Sequence, residues 1–437
     1  MDALGLTSRR YFLKQAGLGG ALITTAAGQA RVLGANDRIN VAFIGTGGRG
    51  NWLMDLVLKH RQAKPDVEIV AVCDVYQKRL RAASQKAGGA KMYVHHEKLL
   101  QRSDIDAVFI ATPDHWHAPI TLLAMETGKD VYVEKPMTHT VEEAKHVAHR
   151  ALELKRIVQV GVQGTSWTRW HRMKEIVQSG MIGKVVAVQG TYSRNDPQGD
   201  WNWPIDPGAG PNGKGEDHID WVQWLGAAAA RSFDADRFFR FRKYWDYSGG
   251  IATDLFFHVM APMNICWPQP EFPRRVVGSG GIYEFKDERE VPDTFHLVAE
   301  YKQGFSVVLS SSMANSHHIP GLIRGHQGTL IMVDHGMFEA PTDHITVLPE
   351  KEVMTPEYKA KFGEEPIVIK VDENDMMMDH IGNFLDSIRS RQQPRLNVEV
   401  AAHAQVAISM AVSSYQQGKV LYFDEKSFKV TDKAPKG

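Results

Sequence analysis

Hydrophobic and polar positions along this chain follow two rhythms in turn. Residues 41–44, 67–73, 107–111 and 130–133 are short, nearly unbroken apolar runs rich in β-branched and aromatic side chains, the pattern of strands buried on both faces. A weaker run at 91–94 adds one more. Between them, residues 51–57, 78–87, 97–101, 118–127 and 141–154 follow the helical period, with Gly128 closing the fourth. Strand alternating with helix predicts a right-handed, doubly wound parallel sheet over residues 37–157. Past that point the rhythm changes. A strand at 158–163, a helix at 169–178 closed by Gly180 and a strand at 184–192 lead to runs at 276–282, 294–301, 305–312, 328–333 and 344–348. These later strands are separated by turn signals such as Lys302-Gln303-Gly304, which predict hairpins rather than crossovers. Residues 375–391 and 398–417 read as closing helices and 421–423 as a last strand, so a second domain spans 158–425 and a polar tail 426–437.

Composition narrows this picture. The chain has 437 residues, 43% hydrophobic and 23% charged, which suits two globular domains. Lys plus Arg and Asp plus Glu both number 51, so nothing recruits nucleic acid or an acidic surface. Cys73 and Cys266 sit in apolar runs and read as small buried hydrophobes, not as a disulfide or metal site. The first thirty residues are of another kind. Ser8-Arg9-Arg10-Tyr11-Phe12-Leu13-Lys14, a Gly- and Ala-rich weakly apolar core and small residues through Ala30 match a bacterial Tat export signal. The expectation is a periplasmic or otherwise exported protein, with cleavage near Ala30 or an uncleaved anchor as its only tie to a membrane.

The predicted strand ends carry the chemistry. Residues 41–44 run into Gly45-Thr46-Gly47-Gly48-Arg49-Gly50 and then a helix, the setting in which a G-x-G-x-x-G turn binds a dinucleotide. Gly45 permits the turn, Gly47 lets backbone approach a pyrophosphate, and Gly50 lets helix pack on strand. The next strand ends at Asp74, where a carboxylate would accept from an adenosine ribose and repel a 2′-phosphate. That favours NAD over NADP, though Lys78 and Arg79 just beyond keep NADP open. Further strands end at Thr112-Pro113-Asp114-His115-Trp116-His117 and at Glu134-Lys135-Pro136. Alone, Lys135 would read as a surface lysine closing a strand. With its neighbours it becomes one rim of a nucleotide crevice.

These features together resemble the glucose-fructose oxidoreductase, inositol dehydrogenase and rhizopine-catabolism family, Gfo/Idh/MocA. The glycine turn, Asp74, Thr112-Pro113 with His117, and Gly128 to Pro136 with its Glu134-Lys135-Pro136 carry the resemblance, which extends over essentially everything after residue 37. It implies a Rossmann domain, a C-terminal α/β domain with a large open antiparallel sheet, and pyridine-nucleotide redox chemistry on sugars or cyclitols. It also implies that the Asp-x-x-x-His pair Asp254 and His258, four apart on one helical face, lies across from Lys135. Where the family pattern has a glycine inside that pair, this chain has Phe256.

Oxidising a secondary alcohol requires removal of a hydroxyl proton and transfer of a hydride. A neutral His258 would take the proton, Lys135 would stabilise the developing alkoxide, and Asp254 would orient substrate hydroxyls. His115, Gln163, Arg242, Trp245 and Tyr247 are the candidate substrate contacts, the last three within a Trp-rich stretch, 192–247, suited to stacking on sugar C–H faces. Metal ligation by His115 and His117 is not expected, since no acidic or Cys cluster accompanies them. Three functions compete: an NAD(P)-dependent oxidoreductase on a sugar, sugar acid or cyclitol, with coenzyme held tightly because an exported protein meets no nicotinamide pool; a redox-neutral NAD-dependent glycoside hydrolase or lyase working through transient oxidation at C3; and a noncatalytic sugar-binding protein. A homo-oligomer is expected.

Overall fold

The computed structural model describes residues 38–434, apart from 268, 335–337, 339–341 and 373. The export-signal segment 1–30 lies outside the described residues. The first domain alternates β1 (Ile39–Ile44), α1 (Gly48–Ala63), β2 (Val67–Cys73), α2 (Gln77–Lys86), β3 (Lys91–Tyr93), α3 (His96–Leu100), β4 (Ala107–Ile110), α4 (His117–Glu126), β5 (Asp130–Glu134), α5 (Val141–Glu153) and β6 (Val158–Gly161). Its six strands are parallel in the order β3-β2-β1-β4-β5-β6. The continuous apolar runs are there because both faces are covered: β4 and β5 are buried at every position. Phe43, Phe109 and Tyr132 stack across neighbouring strands with ring centroids 4.7 and 5.0 Å apart. The boundary drawn at 157 moves by one strand, because Val158–Gly161 pairs in parallel with β5 and completes this sheet.

After α6 (Thr168–Ser179) and β7 (Val185–Thr191) comes a long irregular stretch holding only α7 (Trp221–Leu225) and α8 (Ala235–Phe239), then α9 (Gly250–Leu255) and α10 (Phe257–Cys266). The remaining strands are β8 (Arg275–Gly281), β9 (Thr294–Glu300), β10 (Ser306–Ser312), β11 (Gly321–Gly325), β12 (Gly328–Val333), β13 (His344–Pro349), β14 (Ile367–Lys370), β15 (Leu421–Asp424) and β16 (Lys429–Thr431). Helices α11 (Pro356–Phe362), α12 (Met376–Ser390) and α13 (Val398–Gln417) complete the chain. Ten strands form one open sheet in the order β14-β13-β12-β11-β7-β10-β9-β8-β15-β16. It is antiparallel except where β7 lies parallel to β10. Period-2 burial follows: Phe295, Leu297 and Ala299 of β9 are buried against the helices while His296 and Val298 face outward. The expected polar tail is partly structured, since β16 pairs with β15.

Two features tie the domains together. Helix α12 crosses back, and its Ile381, Phe384, Leu385 and Ile388 join the core under the first sheet. The stretch between β7 and α9 forms a third apolar cluster in which Trp221, Trp224, Phe238, Phe239 and Tyr244 pack with Tyr76, which follows the end of β2. Backbone bonds from Gln77 N–H to His218 O and from Asp220 N–H to Val75 O, both 3.0 Å, strap this stretch across the carboxyl edge of the parallel sheet. Among the described residues, no helix is long and apolar enough to cross a membrane.

Candidate functional site

The strap and the strand ends enclose a cavity of about 750 Å³. At one end lies the glycine turn. Gly45 has φ +85°, and a Cβ there would meet Ala111 O at 2.6 Å; a Cβ on Gly50 would lie 2.0 Å from Gly45 O. Both positions admit only glycine, and the turn delivers the N-terminus of α1, uncapped by any side chain, to the cavity. Thr112 Oγ1 lines the same wall and is buried without a hydrogen-bond partner among the described residues. An uncapped helix N-terminus beside an orphaned hydroxyl fits a dinucleotide. Gly45, Gly47, Gly48, Arg49, Asp74, Thr112, Pro113, His117, Glu134 and Lys135 all line the cavity as expected.

Thr46 and Gly50 stand behind that wall. The Thr46 amide and hydroxyl donate to Asp74 Oδ2 at 2.7 and 3.1 Å, and the Tyr76 amide donates to Oδ1 at 2.9 Å. Asp74 is thereby fixed at the cavity edge, with Oδ1 keeping one further acceptor site. Arg49 reaches across from the turn, donating to Glu134 Oε1 at 2.7 Å and Gln163 Oε1 at 2.8 Å while lying over Trp52. The His117 ring nitrogens face Pro136 O at 2.6 Å and Thr112 O at 2.9 Å, so this histidine ties the ends of β4 and β5 together.

At the other end Lys135, almost wholly buried, donates to Asp254 Oδ1 at 2.5 Å and Asp254 O at 2.8 Å. Arg242 Nε donates to the same carboxylate oxygen at 3.0 Å, and Arg194 donates to Oδ2 at 3.2 Å. Burial opposes ionisation of Asp254, but Lys135, Arg242 and Arg194 outweigh it and hold the carboxyl well below the usual range. Burial also pulls the Lys135 ammonium below its ordinary value, with Asp254 opposing the fall. His258 lines the cavity with its ring 5.5 Å from that of Tyr192. The helix expected to carry both members of the pair is two helices, α9 and α10, meeting at Phe256. The Phe256 amide still bonds to Ala252 O at 3.2 Å, so both side chains reach the cavity. Phe256 itself is fully buried against Phe295 and does not line the site.

Three expected substrate contacts lie elsewhere. His115 is buried, bonded to Trp224 O at 3.1 Å, and burial pushes its pKa down to about 3. Tyr247 is fully buried against His115 and Trp224, and Trp245 packs toward Tyr415. None of the three lines the cavity, because His115 and Tyr247 pack with Trp224 and Trp245 turns toward α13. Gln163 and Arg242 do line it. Asp254, expected to orient substrate hydroxyls, lines the cavity with its carboxylate bonded by three cations. Sequence reasoning missed Arg194, which stands just past the end of β7 in no recognisable motif. It missed Trp116, Phe238 and Phe239 as wall residues too.

Two family models match the chain in succession. Residues 39–162 match "Oxidoreductase family, NAD-binding Rossmann fold" and residues 167–364 "Oxidoreductase family, C-terminal alpha/beta domain". The chain belongs to the Gfo/Idh/MocA oxidoreductase family. Its first domain is therefore an NAD-binding Rossmann domain, in keeping with the cavity wall just described. Curated relatives within Gfo/Idh/MocA include a glycosyl hydrolase family 109 protein of Shewanella pealeana, 31% identical over 216 residues, covering 42% of this chain and 46% of that protein. An inositol 2-dehydrogenase of Rubrobacter xylanophilus is 32% identical over 164 residues, covering 37% and 46%. The matches thus span about half the length of these relatives. Among solved structures, the WlbA dehydrogenase from Bordetella pertussis, in complex with NADH and UDP-GlcNAcA, superposes with a TM-score of 0.62 at 16% identity, covering 89% of this chain and 99% of that one. That likeness is one of fold.

Proposed function

We propose that this protein is an NAD-dependent oxidoreductase acting on a secondary hydroxyl of a sugar, sugar acid or cyclitol, with the coenzyme held through turnover. The observation that carries the reading is the Lys135 ammonium, fixed by two bonds to Asp254 at the end of β5 in the cavity shared with His258. Bound NAD supplies the hydride acceptor. Lys135 donates a hydrogen bond to the carbinol oxygen, and His258 takes its proton as the carbinol carbon gives up its hydride and becomes a ketone. Asp254 holds Lys135 in place and charged. The strap across the coenzyme end favours slow release, and together with the Tat-type segment it supports an exported protein whose hydride returns to a second substrate in the same cavity.

A sugar and cyclitol panel read at 340 nm tests this. Lys135→Met is expected to lower kcat by roughly 10² to 10³ while coenzyme still co-purifies; a variant with unchanged turnover sinks the assignment and revives a noncatalytic binding role. A second reading, redox-neutral glycoside cleavage, is favoured by the similarity to the glycosyl hydrolase family 109 protein. Release of aglycone from aryl glycosides without net NADH would select it.

A further inference from the structure

We propose that the substrate carries a carboxylate, as a hexuronate does, and that Arg242 is the fork that receives it. This rests on the oxidoreductase reading of the same cavity and narrows its substrate class. The Arg242 guanidinium is anchored along one edge only: Nε donates to Asp254 Oδ1 at 3.0 Å. The group lies 4.6 Å from the Phe241 ring centroid and 5.4 Å from that of Trp203. Its two terminal nitrogens have no partner among the described residues, while the residue lines the cavity. A planar donor pair, fixed in orientation and unspent, matches the two oxygens of a carboxylate.

The surrounding charge points the same way. Lys135, Arg194 and Arg242 converge on Asp254, and among the described residues only Arg194 has a second carboxylate beside it. The second carboxylate nearby, Asp200, faces Arg194 Nε at 3.2 Å, does not line the cavity, and burial raises its pKa. Asp114 does line the cavity and receives the Thr253 hydroxyl at 3.4 Å. A neutral sugar needs amides and hydroxyls for recognition, and against it the largely buried, unspent fork of Arg242 would leave its charge unmatched. An anionic substituent matches it. Lys135 and Arg242 share one carboxylate oxygen, so the group held by the fork and the carbinol facing the lysine belong to a single sugar ring.

Calorimetry on the coenzyme-loaded protein tests this with D-glucuronate and D-galacturonate against D-glucose, D-galactose and D-glucose 6-phosphate. At least one hexuronate is expected to bind about tenfold or more tightly than its neutral parent. Arg242→Gln is expected to shrink that margin below twofold, and Arg242→Lys, which keeps charge without the planar fork, to recover only part of it. Equal binding of hexuronate and hexose, absence of hexuronate binding, tighter binding of the phosphate, or a margin that survives Arg242→Gln each overturns the proposal. The wild-type margin decides the matter even if a variant fails to fold. Absorbance at 340 nm, followed in parallel, separates the two readings: selective hexuronate binding without NADH formation removes the oxidoreductase reading and leaves this one standing.

Discussion

Asp254 is the residue on which the electrostatics of the cavity turns. A buried carboxylate is tolerated here because Lys135, Arg194 and Arg242 each donate to it, and they are tolerated because it is there. Asp254→Asn keeps the shape and removes the charge, leaving three cations to repel one another. We expect a loss of roughly 3–5 kcal/mol in urea unfolding and a substrate-saturated rate that falls with it; a loss within about 0.5 kcal/mol would mean that solvent screens the cluster. At this scale the sequence was uneven. Lys135, Asp254 and His258 were legible because each stands in a spaced motif. His115, Trp245 and Tyr247 lie off the cavity because the direction of an aromatic side chain in irregular backbone is decided by what it packs against: His115 and Tyr247 pack with Trp224 of the strap, and Trp245 packs toward Tyr415 of α13. Arg194, a lone arginine past an antiparallel-looking strand, had no motif to mark it.

Elements show the same division. Strands β1, β2, β4 and β5 were legible since burial leaves near-continuous apolar runs, whereas the exposed β3 left only a weak one, and α13 matched its predicted span, residues 398–417. Strand β11 was missed because its Gly-Leu-Ile-Arg-Gly is short and glycine-flanked, and β14 because an edge strand of four residues carries little pattern. The junction of α9 and α10 bears on the departure from the family pattern at Phe256. Its ring fills the core beside Phe295, so Phe256→Gly is expected to cost about 3–5 kcal/mol of stability while the surviving folded protein keeps its KM, measured by thermal unfolding and initial rates. A second element-level expectation concerns α12. His380 is buried with its ring between Ser166 Oγ at 2.8 Å and Val160 O at 3.2 Å, pinning the crossing helix to the end of β6. Burial pushes its pKa down to about 3, against an ordinary value of 6.5. The unfolded chain therefore takes up this proton first, and the stability contributed by neutral His380 is complete above pH 6.5 and lost as pH falls toward 3. The slope from this residue is up to about 1.4 kcal/mol per pH unit, and His380→Gln should flatten it in acid titrations of unfolding free energy.

For the whole molecule, the open sheet poses the remaining question. Its outer face presents Val298 opposite Val308, with Val186, Leu348 and Val368 further along, all exposed and apolar. A stripe of that kind on a ten-stranded sheet is suited to a second copy. We expect light scattering to give a dimer, and Val298→Glu with Val308→Glu to shift it to monomer without loss of bound coenzyme; a monomeric wild type removes the expectation. The two-domain plan was legible at this scale, from the change of rhythm near residue 158. The strap was not, since its hold on the first domain is made by contacts between residues more than a hundred positions apart.

That strap sets an order in time. The coenzyme cavity has one wall built from residues 44–135 and another from residues 192–258, so neither half of the chain holds a finished site. NAD settling on the first domain during synthesis would lie on an open shelf, enclosed only once the later segment folds over Tyr76 and Trp116, and we expect coenzyme capture to be the closing step of folding. Refolding from urea in the presence of NAD should yield holoprotein far more readily than adding NAD to protein already folded without it.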